Sequence, residues 1–409
     1  MKVLLVNKFH YRKGGSETYY FTLAKALKEA GHEVVFFAMK NEKNIPCEQE
    51  KYFIDNVEYN GKINPFKQLG LAKKTIYSKE AKDKITKLIE NEKPDLAIFN
   101  LVHRQITLSI IEPLKANNIP IFWVTHDLIF ACPNYTMLDN DGNICEKCLN
   151  HNFKNCFKNK CIKGSIAKSY LAYREAKYIK KHNYYNDIDL YICPSKFYKY
   201  KLTEAHFTTS PIIHLSNPLE MDINKKISSI DEIENYVLYF GRLSKEKGVK
   251  TLIDAVVDVE GRELFILGTG PIEKELKHYV FTKNVGDRIK FLGYKTGKEL
   301  NEFIRKSKVV VLPSEWYENG PYSAIEAMNL GKPLIVSNIG GLPELVEAGK
   351  NGYIFETGDI KSLKKCISKI FELSNESYNA LSLNSMKLCK QKFGVKNYCE
   401  VIIDRYRKL

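Results

Sequence analysis

Apolar residues along this chain fall into two kinds of run. Short unbroken runs at Val3–Val6, Val34–Ala38, Leu96–Asn100, Ile121–Thr125, Leu190–Cys193 and Ile212–Leu215 are bounded by polar residues, the pattern of strands covered on both faces. Longer amphipathic stretches lie between them, such as Glu17–Ala30, Ala81–Asn91 and Thr107–Asn117, and these read as helices. The alternation predicts a parallel sheet covered by helices. After a polar stretch around Asn217–Asn235 the rhythm restarts at Tyr236–Phe240, Leu264–Leu267, Lys290–Leu292, Val309–Leu312, Leu334–Val336 and Tyr353–Phe355. A second doubly wound domain is therefore expected. The division reads as 1–216, 217–391 and a C-terminal helix over 392–409, for which a return to the first domain is one reading.

With 409 residues and 44% apolar content, the chain can bury two cores of ordinary size. No apolar run approaches membrane-spanning length, and the opening Met1–Lys8 reads as a first buried strand rather than a signal peptide; a cytoplasmic protein is expected. The net charge of +15 is uneven, since residues 1–220 carry 33 Lys and Arg against 23 Asp and Glu. Between Asn152 and Lys181 nine basic residues face the single acid Glu175. Charge alone leaves nucleic acid, anionic lipid and plain solubility open.

Candidate chemistry gathers where strands end. Each half has a glycine-bearing loop after its first strand, Lys13-Gly-Gly-Ser-Glu17 and Gly241-Arg-Leu-Ser-Lys-Glu-Lys-Gly248. Such loops place backbone N–H groups and a helix N-terminus at the carboxyl edge of a sheet, where open α/β folds bind ligands. Arg242 and Lys247 add a planar fork and a mobile ammonium, a pairing suited to a diphosphate; alone, such a pair is more often a solvated loop. Further along come Leu267-Gly-Thr-Gly-Pro271, then Pro313-Ser-Glu-Trp-Tyr-Glu-Asn-Gly-Pro321, then Gly340-Gly-Leu-Pro-Glu344. In the middle segment Glu318 lies in a loop and Glu326 in the following helix, with Pro321 suited to the first helical position and Gly320 leaving room for a ligand. Trp123 and Trp316 read as packing residues.

Taken together, these segments resemble the retaining, GT-B-fold glycosyltransferases of family 4, a group that includes many bacterial polysaccharide enzymes. The ordered set of Arg242 and Lys247, the Gly268–Gly270 turn, the Glu318/Glu326 pair and Gly340–Glu344 carries the likeness; Gly14, Gly15, Glu17 and His126–Asp127 fit it as well. The resemblance implies two Rossmann-like domains facing an interdomain cleft. It further implies that Arg242 and Lys247 grip the diphosphate of a UDP- or GDP-sugar, with Gly15, Gly270, Asn319, Gly320, Pro321 and Tyr322 also on the donor side. Glu318 would hold sugar hydroxyls, Glu326 the ribose, and His126 would sit beside the reacting sugar. Gly14, Glu17 and Asp127 fall on the acceptor side. No catalytic metal and no dedicated protein base are implied, so the two-carboxylate scheme of glycoside hydrolases does not transfer to Glu318 and Glu326. Many relatives carry an aromatic where this chain has Gly320, so the sugar pocket differs and the donor stays open. The expected acceptor is a glycan, a lipid-linked precursor of bacterial surface polysaccharide at the inner face of the cell membrane. The rival readings are another GT-B activity, nucleotide-sugar epimerisation or phosphorolysis, and a nucleic-acid-binding module; the strand-end motifs have no role in the last, and no nucleic-acid partner is expected.

Five of ten cysteines crowd one stretch of a Cys-rich insert, read as 130–164. Cys145, Cys148, Cys156 and Cys161 have the spacing C-x2-C-x7-C-x4-C, which suits one structural Zn²⁺, with Cys132 or His151 as substitute ligands and free thiols or an iron–sulfur cluster as the other readings. Beyond them, Ser165–Tyr185 interleaves Lys and Arg with aromatics. It reads either as a helix at an anionic membrane surface or as an ordinary helix packed on the first domain.

Overall fold

A computed structural model describes residues 1–57, 65–221 and 230–409. Part of the polar stretch 217–235 lies outside these residues. Each apolar run becomes a strand: β1 Lys2–Val6, β2 Glu33–Phe37, β3 Leu96–Phe99, β4 Ile121–Val124, β5 Leu190–Cys193 and β6 Ile212–His214 in the first half. The second half supplies β7 Tyr236–Phe240, β8 Glu263–Leu267, β9 Ile289–Gly293, β10 Val309–Leu312, β11 Leu334–Ser337 and β12 Gly352–Phe355. The chain forms two compact units, Met1–Pro218 with Val395–Leu409, and Leu219–Gly394.

In the first unit all pairings are parallel and the order is β2-β1-β3-β4-β5-β6. The central strands are buried along their whole length because helices cover both faces. Winding leaves β1 toward β2 and then returns to β3 on the other side, so the reversal lies between β1 and β3. The expected helix over Thr107–Asn117 is shorter: a 3-10 turn Leu108–Ile110 precedes a helix Ile111–Ala116. Thr107 has φ +72°, which no right-handed helix tolerates. The last helix, Val395–Tyr406, packs on the first helix, Gly15–Glu29, where the Tyr19 and Tyr398 hydroxyls meet at 2.8 Å.

The second unit is also all-parallel, in the order β12-β11-β10-β7-β8-β9. Numbered from its own first strand this is the dinucleotide-fold order 3-2-1-4-5-6, whose reversal lies between β7 and β10. One face of the sheet buries Leu252, Ile253 and Val256 of helix Val249–Val257; the other buries Ala324, Ile325 and Met328 of helix Tyr322–Asn329. Among the described residues no helix is long and apolar enough to cross a membrane.

Candidate functional site

The reversal point of the second sheet sets the loop after β7 beside the loop after β10. Lys247, near the end of the first loop, reaches Glu318 in the second with Nζ to Oε1 at 2.5 Å, and the Ser314 hydroxyl donates to the same oxygen at 2.6 Å. Glu318 is 6% exposed. Burial alone would lift its carboxyl pKa, but the Lys247 ammonium and the hydrogen bonds from Lys247 and Ser314 outweigh it and hold the group below its ordinary value. The ammonium also lies 5.0 Å from the centre of the Trp316 ring, so this tryptophan flanks the charge as well as packing.

Gly248 makes the approach of the two loops feasible. It has φ +64°, and a Cβ there would run into the Pro313 carbonyl at the end of β10. Gly270 performs the same service for the turn after β8, where a Cβ would collide with the Leu243 backbone. Arg242 is exposed in the β7 loop, its carbonyl held by the Tyr239 hydroxyl at 2.8 Å. The Glu318 carbonyl accepts from the Gly341 N–H at 2.7 Å, which docks the Gly340–Glu344 segment against the same loop. Glu344 itself sits in the short turn Leu342–Leu345, and its carbonyl accepts from Lys392.

Pro321 is the cap rather than the first helical residue: it is extended, at φ −68° and ψ 131°, and the helix begins at Tyr322. Asn319 and Gly320 are half-buried in the approach to it, Tyr322 is buried, and Glu326 follows in the second turn. Burial raises the Glu326 carboxyl to about 7.

At the reversal point of the first sheet the chemistry is different. His126 follows β4, and its Nε2 lies 2.9 Å from the Asn100 Oδ1 at the end of β3. With the amide oxygen facing the ring, Nε2 carries the proton and Nδ1 is left as an acceptor. Burial lowers the imidazole to about 3, so the ring is neutral at ordinary pH. Tyr19 meets it edge-on at 5.0 Å between centroids. Asp127 accepts from the Ile129 N–H at 3.1 Å, and burial raises its carboxyl against the pull of Lys8 and Arg104. Gly14 caps the first helix and Gly15 begins it, both exposed. Glu17, 2% exposed, accepts from Asn7 and Ser16 at 3.1 Å each, and burial raises its carboxyl.

Several participants were not singled out by sequence: Asn7, Lys8 and Asn100 in the first unit and Ser314 in the second. A signal existed, since Asn7, Asn100 and Ser314 are the first small polar residues after unbroken apolar runs. The Lys8 ammonium, lowered to about 8 by burial, has no such mark.

The expected zinc set is not assembled. Among the described residues no group of three or more His, Cys, Asp or Glu side chains is placed to hold a metal ion. Cys132, Cys148, Cys156 and Cys161 are buried, while Cys145 is only half-buried. His151 turns away to the His206 carbonyl at 3.1 Å. The basic stretch forms a helix, Ile166–Lys181, that buries Ser169, Ala172, Glu175 and Ile179. Glu175, 4% exposed, is paired with Arg104 at 3.2 Å. One face is thus packed on the first unit, and Ile166 and Tyr170 remain exposed beside the basic residues.

Residues 13–222, just over half of the chain, match the family model described as Glycosyltransferase Family 4, and residues 220–387 match Glycosyl transferases group 1. A glycosyltransferase of Methanocaldococcus jannaschii, MJ1178, is 33% identical over 187 residues, which is 46% of this chain and 50% of the relative. The lipopolysaccharide core biosynthesis mannosyltransferase LpsB of Rhizobium meliloti is 26% identical over 208 residues, 47% of this chain and 57% of that protein. The chain spans about half the length of the curated relatives it matches. Among solved structures, Anabaena Alr3699/HepE in complex with UDP and glucose superposes with a TM-score of 0.71 over the whole of both chains at 18% identity, a likeness of fold.

Proposed function

The chain belongs to glycosyltransferase family 4, and on that premise we propose that it transfers a sugar, with retention of anomeric configuration, from a nucleoside diphosphate donor to a glycan acceptor. The observation that carries the reading is the Lys247–Glu318 pair at the β7/β10 reversal, where a sheet of this winding order binds its ligand. In this reading Lys247 and the exposed Arg242 neutralise the diphosphate as the sugar departs, which is the main electrostatic demand of the reaction. Glu318 is then released toward the sugar hydroxyls while Ser314 keeps its carboxylate in place. Glu326 accepts hydrogen bonds from the ribose. A neutral His126, held by Asn100, offers Nδ1 to the sugar without adding positive charge beside an oxocarbenium-like centre. A donor phosphate oxygen takes the acceptor proton, which leaves the chain free of a dedicated base.

For the acceptor we propose a lipid-linked precursor of surface polysaccharide, met at the cytoplasmic face of the membrane. The basic outer face of helix Ile166–Lys181 supports this, as does the polysaccharide role named for LpsB. The test is a thermal-shift screen of UDP- and GDP-sugars on the wild type and on Lys247→Ala. A true donor raises the melting midpoint of the wild type by mass action and fails to do so in the variant. A donor that stabilises both equally defeats the proposal. Product NMR decides retention, and vesicles of anionic lipid at low salt decide the membrane link.

A further inference from the structure

At the amino-terminal edge of the second sheet, away from the β7/β10 reversal, lies an amine that the proposed function leaves unused. Lys332, just ahead of β11, is 1% exposed, and Lys308, just ahead of β10, is 9% exposed. We propose that Lys332 is a carbamylation site: its Nζ takes up carbon dioxide, and the carboxylate so formed pairs with the neighbouring Lys308. The inference is independent of the glycosyltransferase reading.

Position is the first support. β10 and β11 are parallel neighbours with Val310 opposite Leu334, so Lys308 and Lys332, each two residues earlier, lead into adjacent strands whose backbones run about 4.8 Å apart. Helix Asn375–Phe393 passes beneath this edge: its Tyr378 and Leu381 belong to the core on one face of the sheet, its Cys389 and Phe393 to the core on the other. On the way it fastens both lysine backbones. The Tyr378 hydroxyl donates to the Lys308 carbonyl and the Ser385 hydroxyl to the Lys332 carbonyl, each at 2.8 Å. The helix thus seals the Lys332 side chain from bulk water.

Charge is the second. Among the described residues the Lys332 side chain has neither a hydrogen-bond acceptor nor an acidic partner, and Lys308 rests on the Tyr378 ring, 4.1 Å from its centre, without a carboxylate. Burial, with the cations Lys308 and Arg305, pushes the Lys332 amine down to about 7 against the pull of Glu232; burial and Arg262 lower Lys308 as well. A buried ammonium without a counter-charge is costly, whereas a desolvated neutral amine is a nucleophile. An electrophile that enters where hydrated ions cannot must be small and uncharged, which favours carbon dioxide. In the step itself the Nζ lone pair forms the N–C bond as one C=O π pair moves to oxygen, and the proton lost from nitrogen passes to water. A carbamate anion remains, no electron is transferred, and the new charge cancels the repulsion between the two lysines.

The full chain is equilibrated at pH 8 with carbon-13 bicarbonate, which supplies dissolved carbon dioxide, and read by carbon NMR. A trialkyloxonium salt then esterifies any carbamate for peptide mapping by mass spectrometry. The expected result is one carbamate resonance, mapped to Lys332, that disappears at pH 5 and is absent from Lys332→Met. Lys308→Met should lower its occupancy several-fold at fixed bicarbonate; unchanged occupancy overturns the part given to Lys308. Bicarbonate should also raise the melting midpoint of the wild type above that in sodium chloride of equal ionic strength. A Lys332 peptide without an adduct overturns the proposal. So do adducts confined to exposed lysines or the N-terminal amine, and so does stabilisation by phosphate or chloride with no adduct formed. The wild-type map alone suffices should a methionine variant fail to fold.

Discussion

At the reversal of winding in the first sheet, β1 and β3 end in Asn7 and Asn100, which hold Glu17 and a neutral His126. At the corresponding reversal in the second sheet, β7 and β10 are followed by Lys247, Ser314 and Glu318, joined through a buried carboxylate. A reversal of winding thus presents mainly hydrogen-bonding groups in one unit and a fixed ion pair in the other, although the two sheets differ in strand order. On the proposed reading, the difference assigns the charged part of a substrate to the second unit. A diphosphate needs cations that are already desolvated and oriented; a sugar ring needs acceptors and donors that add no competing charge.

The sharpest way to break this contrast is to remove charge from the second site. Lys247→Met leaves Glu318 buried without its partner. Activity on the identified donor should fall by about 10²- to 10³-fold in kcat/KM, with about 3 kcal/mol lost from stability in denaturant titration. The double variant Lys247→Met/Glu318→Gln should recover much of that stability and none of the activity. Recovery of both would mean that the pair is structural only.

Acid offers the next test, because it should act on the first unit. His126 and His10 are held by burial to about 3 and about 4, and burial also places His103 well below its ordinary value. Folded imidazoles stay neutral while the unfolded chain takes up protons at about pH 6.5. Stability contributed by these groups is therefore full above pH 6.5 and falls as pH drops toward 4, by up to about 1.4 kcal/mol per pH unit for each ring. Hydrogen exchange at pH 5 against pH 7 should show peptides of residues 1–218 losing protection ahead of those in 230–394. Equal loss in both would remove the electrostatic distinction.

The smallest expected effect sharpens the second site. Glu326 is raised to about 7, so its carboxylate forms only as pH rises through that value, and donor affinity should improve over the same range. The gain is expected to be about tenfold between pH 6 and pH 8. Glu326→Gln should flatten the profile, as read by calorimetric titration of the donor.

Sequence made most of the scaffold visible, because strands buried on both faces must be unbroken apolar runs, and all twelve such runs became strands. Lys247 and Glu318 were visible because glycines that permit close approach, such as Gly248, mark the loops that carry them. Asn100 and Ser314 were not, since their importance depends on which strands are neighbours, and order within a sheet is a long-range property. The cysteines show the same limit. Spacing grouped Cys145 with Cys148 and kept Cys132 as a substitute, but could not show that Cys132 is buried and Cys145 only half-buried. The cap at Pro321 moved by one residue because its ψ of 131° is extended.

Residues 395–406 lie beyond the whole second unit in sequence, yet Tyr398 supports Tyr19, whose ring rests against His126. On the ribosome, then, the first sheet is made before the helix that backs its histidine, with the whole of residues 219–394 synthesised in between. A nascent or clipped polypeptide lacking the helix Val395–Tyr406 should keep the charged half-site intact while the neutral one remains loose.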